Sequence, residues 1–160
     1  PNGRVIESYW RSPNGIDRGE ASITRYAFHA IIGHHGIFSL TPVWILVLPG
    51  LIFMLRRTGH GWQLLSFAII TVSITVIAFY LTRQPWDRNY GGSTSGFRWV
   101  FWLAPIWITA LTPASDRLAA SRIGSLFLLI LLGLSVLSVA APTWNPWTHP
   151  WLYQLLNYQG

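Results

Sequence analysis

The sequence predicts an all-α integral membrane protein, a helical bundle of about four transmembrane helices, and three observations lead to that fold class. First, every Arg, Asp and Glu of the 160 residues falls outside four long runs: 26–55, 58–82, 99–115 and 123–160. Second, three of these runs contain the roughly 20 mostly apolar residues that a helix needs to cross the hydrocarbon core of a bilayer. Third, charged residues make up only 10% of the chain and aromatic residues 15%, a composition that suits lipid and its interface.

The four predicted spans differ in length. Three of them are Ile37–Leu55, Gln63–Thr82 and Ile123–Ala141. The fourth, Trp99–Pro113, is shorter and carries Pro105, so we expect either a short, kinked span or a re-entrant segment. Helices are expected even where Ile, Val and Thr are frequent, because hydrocarbon offers no water to bond the backbone groups of a strand.

These spans divide the chain into four predicted regions. Residues 1–20 form a polar N-terminal segment, and residues 21–36 form an amphipathic interfacial helix. Residues 37–141 form the four-helix membrane domain, and residues 142–160 form a Trp-rich interfacial tail. Because the sequence begins at Pro1 within a polar stretch rich in turn residues, we expect further residues to precede it.

The distribution of Arg predicts how the spans are oriented. The short loops that hold Arg56 and Arg57, and Arg117 and Arg122, lie on one side, and the positive-inside rule places them in the cytoplasm. Residues 83–98 and the C-terminus are therefore predicted to lie outside the cytoplasm. Interfacial anchoring at that outer face is predicted for Trp86, Trp144, Trp147 and Trp151, in preference to the stacking of sugars or cations.

Composition excludes several classes of function. The chain has no Cys, which excludes disulfides, Cys-ligated zinc and thiol catalysis. All eleven basic side chains are Arg, and they are scattered between the spans instead of covering one face. This pattern argues against a nucleic-acid partner and favours the anionic headgroups of membrane lipids as counter-charges.

Four of the five histidines are predicted to lie at one end of the bundle. The chain reaches that end near His29, His34 and His35 and again near His149, and the loop that contains Asp87 lies there too. Imidazole and carboxylate are suitable ligands for zinc, iron or copper, although the spacing matches no strong metal motif. We therefore name His34, His35, His149 and Asp87 as a candidate metal site or polar cluster, with interfacial packing as the alternative. The sequence assigns no cofactor.

The loop of residues 83–98 is the second candidate site. Its glycines let backbone N–H groups approach an anion, and two arginines could clamp a phosphate or carboxylate. The predicted residues for binding an anion or lipid phosphate are Arg88, Gly91, Gly92, Ser93, Gly96 and Arg98. An ordered turn with Arg98 extended to headgroups is the alternative. The chain has no phosphate-binding loop of the Walker type and no nucleophile elbow, so catalytic residues remain unassigned and the question of an enzyme stays open.

Two resemblances bear on this loop. Residues 90–98, Tyr-Gly-Gly-Ser-Thr-Ser-Gly-Phe-Arg, followed by the apolar stretch Trp99–Trp107, resemble a loop of glycosyltransferases of the GT-C type, which use lipid-phosphate sugars. Phe97 stands where that family usually has Pro, and nothing here matches its acidic catalytic motif. The resemblance thus implies a non-catalytic C-terminal part, in which Arg98 contacts a lipid-linked phosphate.

The stretch from Phe28 to Gly160 also resembles the C-terminal region of uncharacterised polytopic membrane proteins of planctomycete-type bacteria. Residues Gly33–Thr41, Asp87–Trp99 and Trp144–Trp151 carry that similarity. The leading hypothesis, which the resemblance implies, is a protein of the bacterial inner membrane whose outer face handles a lipid-linked or glycan substrate. The alternative is a structural or accessory subunit of a multi-subunit membrane complex. A channel or transporter is less favoured, because the spans hold no ionisable residue at mid-membrane.

Overall fold

The computed structural model of this chain describes residues 8–92 and 96–156. All regular secondary structure in these residues is helical, which confirms the all-α prediction. The α-helices of this part of the chain are α1 (Ile23–Ile31), α2 (Ile37–Leu40), α3 (Val47–Arg56), α4 (His60–Leu81), α5 (Ala104–Ala119), α6 (Arg122–Ala140) and α7 (Trp151–Leu155). Short 3-10 segments lie at Tyr9–Arg11, Gly15–Asp17, Pro42–Leu46, Pro85–Asp87, Arg98–Leu103 and Ala141–Thr143.

The first predicted span, Ile37–Leu55, is not a single helix. It consists of α2, the 3-10 segment Pro42–Leu46 and α3. Pro42 begins the 3-10 segment, and its missing N–H and its ring interrupt the α-helical hydrogen bonds after Leu40. Pro49 lies in the first turn of α3, where a backbone N–H has no partner four residues earlier in the same helix, so it is tolerated.

The predicted span Trp99–Pro113 begins as the 3-10 segment Arg98–Leu103 and continues as α5. Pro105 is the second residue of α5, a position where proline suits the helix geometry. The helix continues past Pro113 to Ala119, so Arg117 lies in a helix and not in the short loop predicted between the spans. The charges of Asp116 and Arg117 therefore mark the polar last turns of the helix. The Arg117 guanidinium lies 3.8 Å from the ring centre of Phe53 in α3.

Two helices of the described chain are long and apolar enough to cross a membrane: His60–Leu81, and Arg122–Thr143 counted with the 3-10 turn that follows α6. Little of either helix is covered by the rest of the protein, since 11% of the apolar window of the first and 22% of that of the second are buried. Large apolar side chains therefore point outward along both helices.

Helix α3 lies at the centre and packs against α4 and α5, while α6 packs against α5. Hydroxyl groups connect these elements: Ser66 Oγ of α4 donates to the Leu51 carbonyl at 3.2 Å, and the Val43 N–H donates to Ser135 Oγ of α6 at 3.1 Å. The close approach of α3 to α5 depends on Gly50, because a Cβ there would overlap the backbone carbonyl of Ala110. These contacts fix the bundle whose end carries the candidate site.

Candidate functional site

Three separate parts of the chain meet at one end of the bundle: the turn after α1, the loop after α4 and the tail after α6. The ring of His29 stacks on that of His34 with centroids 3.8 Å apart, and the ring of His35 lies 5.8 Å from that of His149. The structure thus brings together the four histidines that sequence reasoning placed at one end. The fifth, His60, lies at the start of α4 and is exposed.

The turn between α1 and α2 positions the first three histidines. Helix α1 is capped by Ser22, whose Oγ accepts the Arg25 N–H, and it ends at Ile31. The His35 N–H then donates to the His29 carbonyl at 3.2 Å, which folds the chain back over the helix. Gly33 is needed here, because a Cβ at this position would overlap the ring and Cα of His29.

Tyrosines from the other two segments complete an aromatic wall. Tyr90 of the loop stacks on His35 with centroids 4.2 Å apart, and Tyr153 of α7 stacks on His149 at 3.7 Å. His34 Nδ1 and His35 Nδ1 are hydrogen-bonded to each other, so one carries a proton and the other accepts it. The result is a packed wall of imidazole and phenol rings, which is here called the His–Tyr wall: His29, His34, His35, Tyr90, His149 and Tyr153.

A cleft of about 300 Å³ lies between this wall and the polar N-terminal segment. The N-terminal side supplies Arg18, Glu20 and Arg25, and the opposite side supplies His34, His35, Tyr90, His149 and Tyr153. Arg25 Nη1 lies 3.9 Å from Glu20 Oε1, while Arg18 makes no ion pair with any residue that the structure describes. Charged and neutral polar groups therefore face one another across a space large enough for a small ligand.

The histidines of the wall are neutral at pH 7. Burial, together with the nearby imidazoles of His29 and His149, lowers the pKa of His34 to about 3. Burial also holds the pKa of His35 well below its ordinary value, again with help from neighbouring imidazoles. The pKa values of His29 and His149 are lowered mainly by burial, and for His29 the Glu20 carboxylate opposes the effect. These side chains therefore act as hydrogen-bonding groups, and the arginines carry the positive charge.

No group of three or more His, Asp or Glu side chains within residues 8–92 and 96–156 is arranged to hold a metal ion. Asp87 does not line the cleft with the histidines; it pairs with Arg83 at 2.6 Å between Nη2 and Oδ2. The structure thus groups His34, His35 and His149 with two tyrosines and leaves Asp87 outside the cluster, and a metal site there stays a prediction.

The two arginines of the predicted anion loop make different contacts. Arg88 donates from Nε to the Arg83 carbonyl and from Nη1 to the Ala21 carbonyl, both at 2.8 Å. It therefore ties the N-terminal segment to the loop. Arg98 is exposed, and its guanidinium lies 5.5 Å from the ring centre of Trp99.

The glycines of this loop shape its backbone. Gly91, Gly92 and Gly96 have φ angles of 98°, 60° and 114°, which L side chains rarely adopt. The Gly91 N–H donates to Asn89 Oδ1 at 3.0 Å and is thus already used within the turn. Ser93 lies outside the described residues. The geometry agrees with the ordered turn that was the alternative, and anion binding by this loop stays a prediction.

Three of the four predicted anchor tryptophans, Trp86, Trp144 and Trp147, point outward near this end of the bundle. Trp151 differs, because its Nε1–H donates to the buried hydroxyl of Ser138 in α6 at 2.9 Å. This bond fixes the tail that carries His149 and Tyr153.

Replacing Trp151 with Phe is expected to loosen the tail, because it leaves the buried Ser138 hydroxyl without this donor at a cost of about 1 kcal/mol. Amide hydrogen exchange across residues 149–155 should become about fivefold faster, which corresponds to that free energy. Trp144→Phe is the matched control, since Trp144 is exposed and should leave the exchange unchanged. Equal exchange in both variants would show that the bond does not hold the tail.

Sequence reasoning missed the tyrosines and the charged wall of the cleft. Tyr153 follows His149 by four residues, a spacing that places two side chains on one face of a helical turn and that offered a signal. Sequence reasoning found no signal for Arg18, Glu20 and Arg25. Nothing in the polar residues near the start of the chain indicates that they fold back over a distant tail.

Comparison with family models, with curated proteins and with solved structures finds no match to this chain. The features that bear on function are therefore the geometry of the cleft and the surface of the bundle.

Proposed function

We propose that this chain is a multi-pass membrane protein that binds an anionic group, a phosphate or a carboxylate, in the cleft at one face of the bilayer. The observation that carries the proposal is the cleft itself, where two arginines face a wall of neutral imidazoles and phenols at the end of an apolar bundle.

The outer surface of the bundle supports membrane insertion. Helices α4 and α6 are long enough to span, and most of their outward side chains are apolar. Water would make such a surface costly, at about 25 cal/mol per Å² of exposed apolar area. In the proposed arrangement α3 and α5 complete a four-helix membrane domain, and the tryptophans near the cleft lie at the interface. The Arg-rich loop between α3 and α4 faces the cytoplasm of a bacterial cell, so the cleft opens outside it.

The charges of the cleft support an anionic ligand. Arg18 and Arg25 line the cleft and are exposed. Guanidinium binds phosphate or carboxylate through two parallel hydrogen bonds. The neutral imidazoles can donate and accept hydrogen bonds to the ligand, and they carry no positive charge of their own. A phosphate of a lipid-linked glycan, the ligand that the sequence resemblance implied, is one member of this ligand class.

The test is the binding of inorganic phosphate to the purified chain in detergent, measured by calorimetry. Replacing both Arg18 and Arg25 with Ala is expected to weaken binding about tenfold, because charge-assisted hydrogen bonds contribute roughly 1.5–3 kcal/mol and exposure reduces that figure. Arg56→Ala is the matched control, since Arg56 is an exposed arginine at the opposite end of the bundle.

Arg98→Ala separates the two candidate sites. Unchanged affinity in this variant, with weaker binding in the Arg18 and Arg25 variant, supports the cleft. Weaker binding in Arg98→Ala alone would move the site to the loop of residues 83–98. Absence of phosphate binding at millimolar concentration in the unaltered protein would refute the proposal.

A further inference from the structure

A second charged surface lies at the end of the bundle opposite the cleft. Helices α3 and α5 run in the same direction, because Gly50 lies against Ala110 and, farther along both helices, Phe53 lies against Arg117. The turn from α3 into α4 and the turn from α5 into α6 are therefore at the same end of the bundle. The exposed arginines of these turns, here called the arginine end, are Arg56, Arg57, Arg117 and Arg122.

Aromatic rings position two of these four side chains. The Arg57 guanidinium lies 4.8 Å from the ring centre of Trp62, and that of Arg117 lies 3.8 Å from the ring centre of Phe53. Attraction to a ring depends on the positive charge and leaves the N–H donors of a guanidinium available for oxygen atoms of a ligand. Both cations are thus held in place while their hydrogen-bonding groups stay unused.

The described chain supplies no counter-charge to the arginine end. None of its four arginines forms an ion pair or a side-chain hydrogen bond with a residue in the ranges 8–92 and 96–156. Asp116 is the one acidic residue in α5, α6 and the turn between them, and it too forms no ion pair within those ranges. The arginine end is therefore a cationic surface that suits an anion from outside the described chain.

The surface beside the arginine end is apolar. Trp62 and Leu64 are exposed in the first two turns of α4, and Ile123 and Leu126 are exposed in the first two turns of α6. A soluble anion would contact the arginines alone. A phospholipid brings a phosphate to the arginines and acyl chains to the apolar side chains, so it matches both parts of this surface.

We propose that the arginine end binds the phosphodiester of an anionic phospholipid, with Arg57 and Arg117 as the donors and the acyl chains along α4 and α6. Guanidinium binds phosphate through two parallel hydrogen bonds, and an anionic headgroup adds long-range attraction to the arginines. A zwitterionic phospholipid carries a cation of its own beside the phosphate and therefore binds more weakly. This inference rests on the membrane insertion in the proposed function and is independent of the cleft.

The test counts the lipids that stay bound when the full chain is released from nanodiscs made of equal parts phosphatidylglycerol and phosphatidylcholine, by native mass spectrometry. The unaltered protein should retain more phosphatidylglycerol than phosphatidylcholine. Arg57→Gln and Arg117→Gln should each lower that ratio about fivefold, the effect of one arginine near an anionic lipid surface. Arg83→Gln is the matched control, because Arg83 lies 5.4 Å from the ring centre of Phe79 at the opposite end and already pairs with Asp87.

Melting temperatures in nanodiscs of phosphatidylcholine alone show whether each variant is folded. Arg57 and Arg117 are exposed, so both variants are expected to fold, and either one alone decides the test. The same lipid ratio in all four proteins would overturn the inference. An equally large drop in Arg83→Gln would also overturn it, because the lipid would then respond to net charge and not to the arginine end.

The outcome also separates this inference from the cleft. If phosphatidylglycerol is retained as expected but inorganic phosphate does not bind in detergent, the inference stands and the cleft is not an anion site. If inorganic phosphate binds but the lipid ratio is the same in every variant, the inference fails and the cleft stands. If the chain does not enter nanodiscs, membrane insertion fails and this inference fails with it.

Discussion

Lowering the pH from 7 to 5 is expected to destabilise the protein by about 2 kcal/mol through His34 alone. The pKa of His34 in the folded protein is about 3, below the ordinary value near 6.5 that applies to the unfolded chain. Between these two values the unfolded chain binds a proton that the folded protein does not. The stability contributed by the neutral ring is therefore present above pH 6.5 and is lost progressively as the pH falls toward 3. His35 acts in the same direction, because its pKa is also lowered.

Thermal unfolding in detergent between pH 7 and pH 5, followed by the fluorescence of the ten tryptophans, measures this effect. His34→Gln should reduce the loss of stability between pH 7 and pH 5, because glutamine takes up no proton in the unfolded chain. His60→Gln is the control, since His60 is exposed at the opposite end of the bundle and its removal should change nothing. The same slope in all three proteins would show that the loss of stability at acid pH does not arise from His34.

Replacing Gly50 with Leu is expected to cost about 3 kcal/mol of stability or more, the largest effect that we predict for a single substitution. Even a Cβ at this position overlaps the Ala110 carbonyl, which is backbone and therefore cannot rotate away. Helix α3 would have to separate from α5, and α3 is the helix against which both α4 and α5 pack.

Gly133→Leu serves as the control for Gly50→Leu. Gly133 lies within α6, and an added Cβ there meets nothing within 4 Å. Leucine is a better helix former than glycine by close to 1 kcal/mol, so this variant should be as stable as the unaltered protein or more so. Melting temperatures in one detergent give the comparison. Equal losses for both variants would mean that the close approach of α3 and α5 is unimportant.

The sequence predicted the helical class and the long helices well, because absence of charge over about 20 residues is a direct physical signal. It failed where a local feature had two meanings. Pro42 ends a helix, whereas Pro105 begins one, and only the neighbouring packing distinguishes these cases. The charges of Asp116 and Arg117 indicated a loop, but a helix can carry charges in its last turns.

Some residues of the candidate site could be predicted from the sequence and others could not. Its histidines were identified because topology alone brings their segments to one end of the bundle. Its other members depend on side-chain directions and on distant contacts that no local pattern encodes. Tyr26, for example, is fully buried and donates to the Asn89 carbonyl at 2.8 Å across 63 residues of chain. The role of Arg88 could not be foreseen either, because its two acceptors are backbone carbonyls and not an anion.

The order of synthesis bears on when the site can form. Arg88 connects the segment that carries Arg18 to the loop that carries Tyr90, and the remaining wall, with His149 and Tyr153, comes from the tail. The cleft is thus closed by residues more than 130 positions apart, and contacts of such long range form late because the intervening chain must first be ordered. A nascent chain that has formed only α3 and α4 has neither the tail nor the last helix that holds it. Binding of the proposed anionic ligand would therefore report completion of the whole bundle, and we expect a chain released before residue 149 not to bind it.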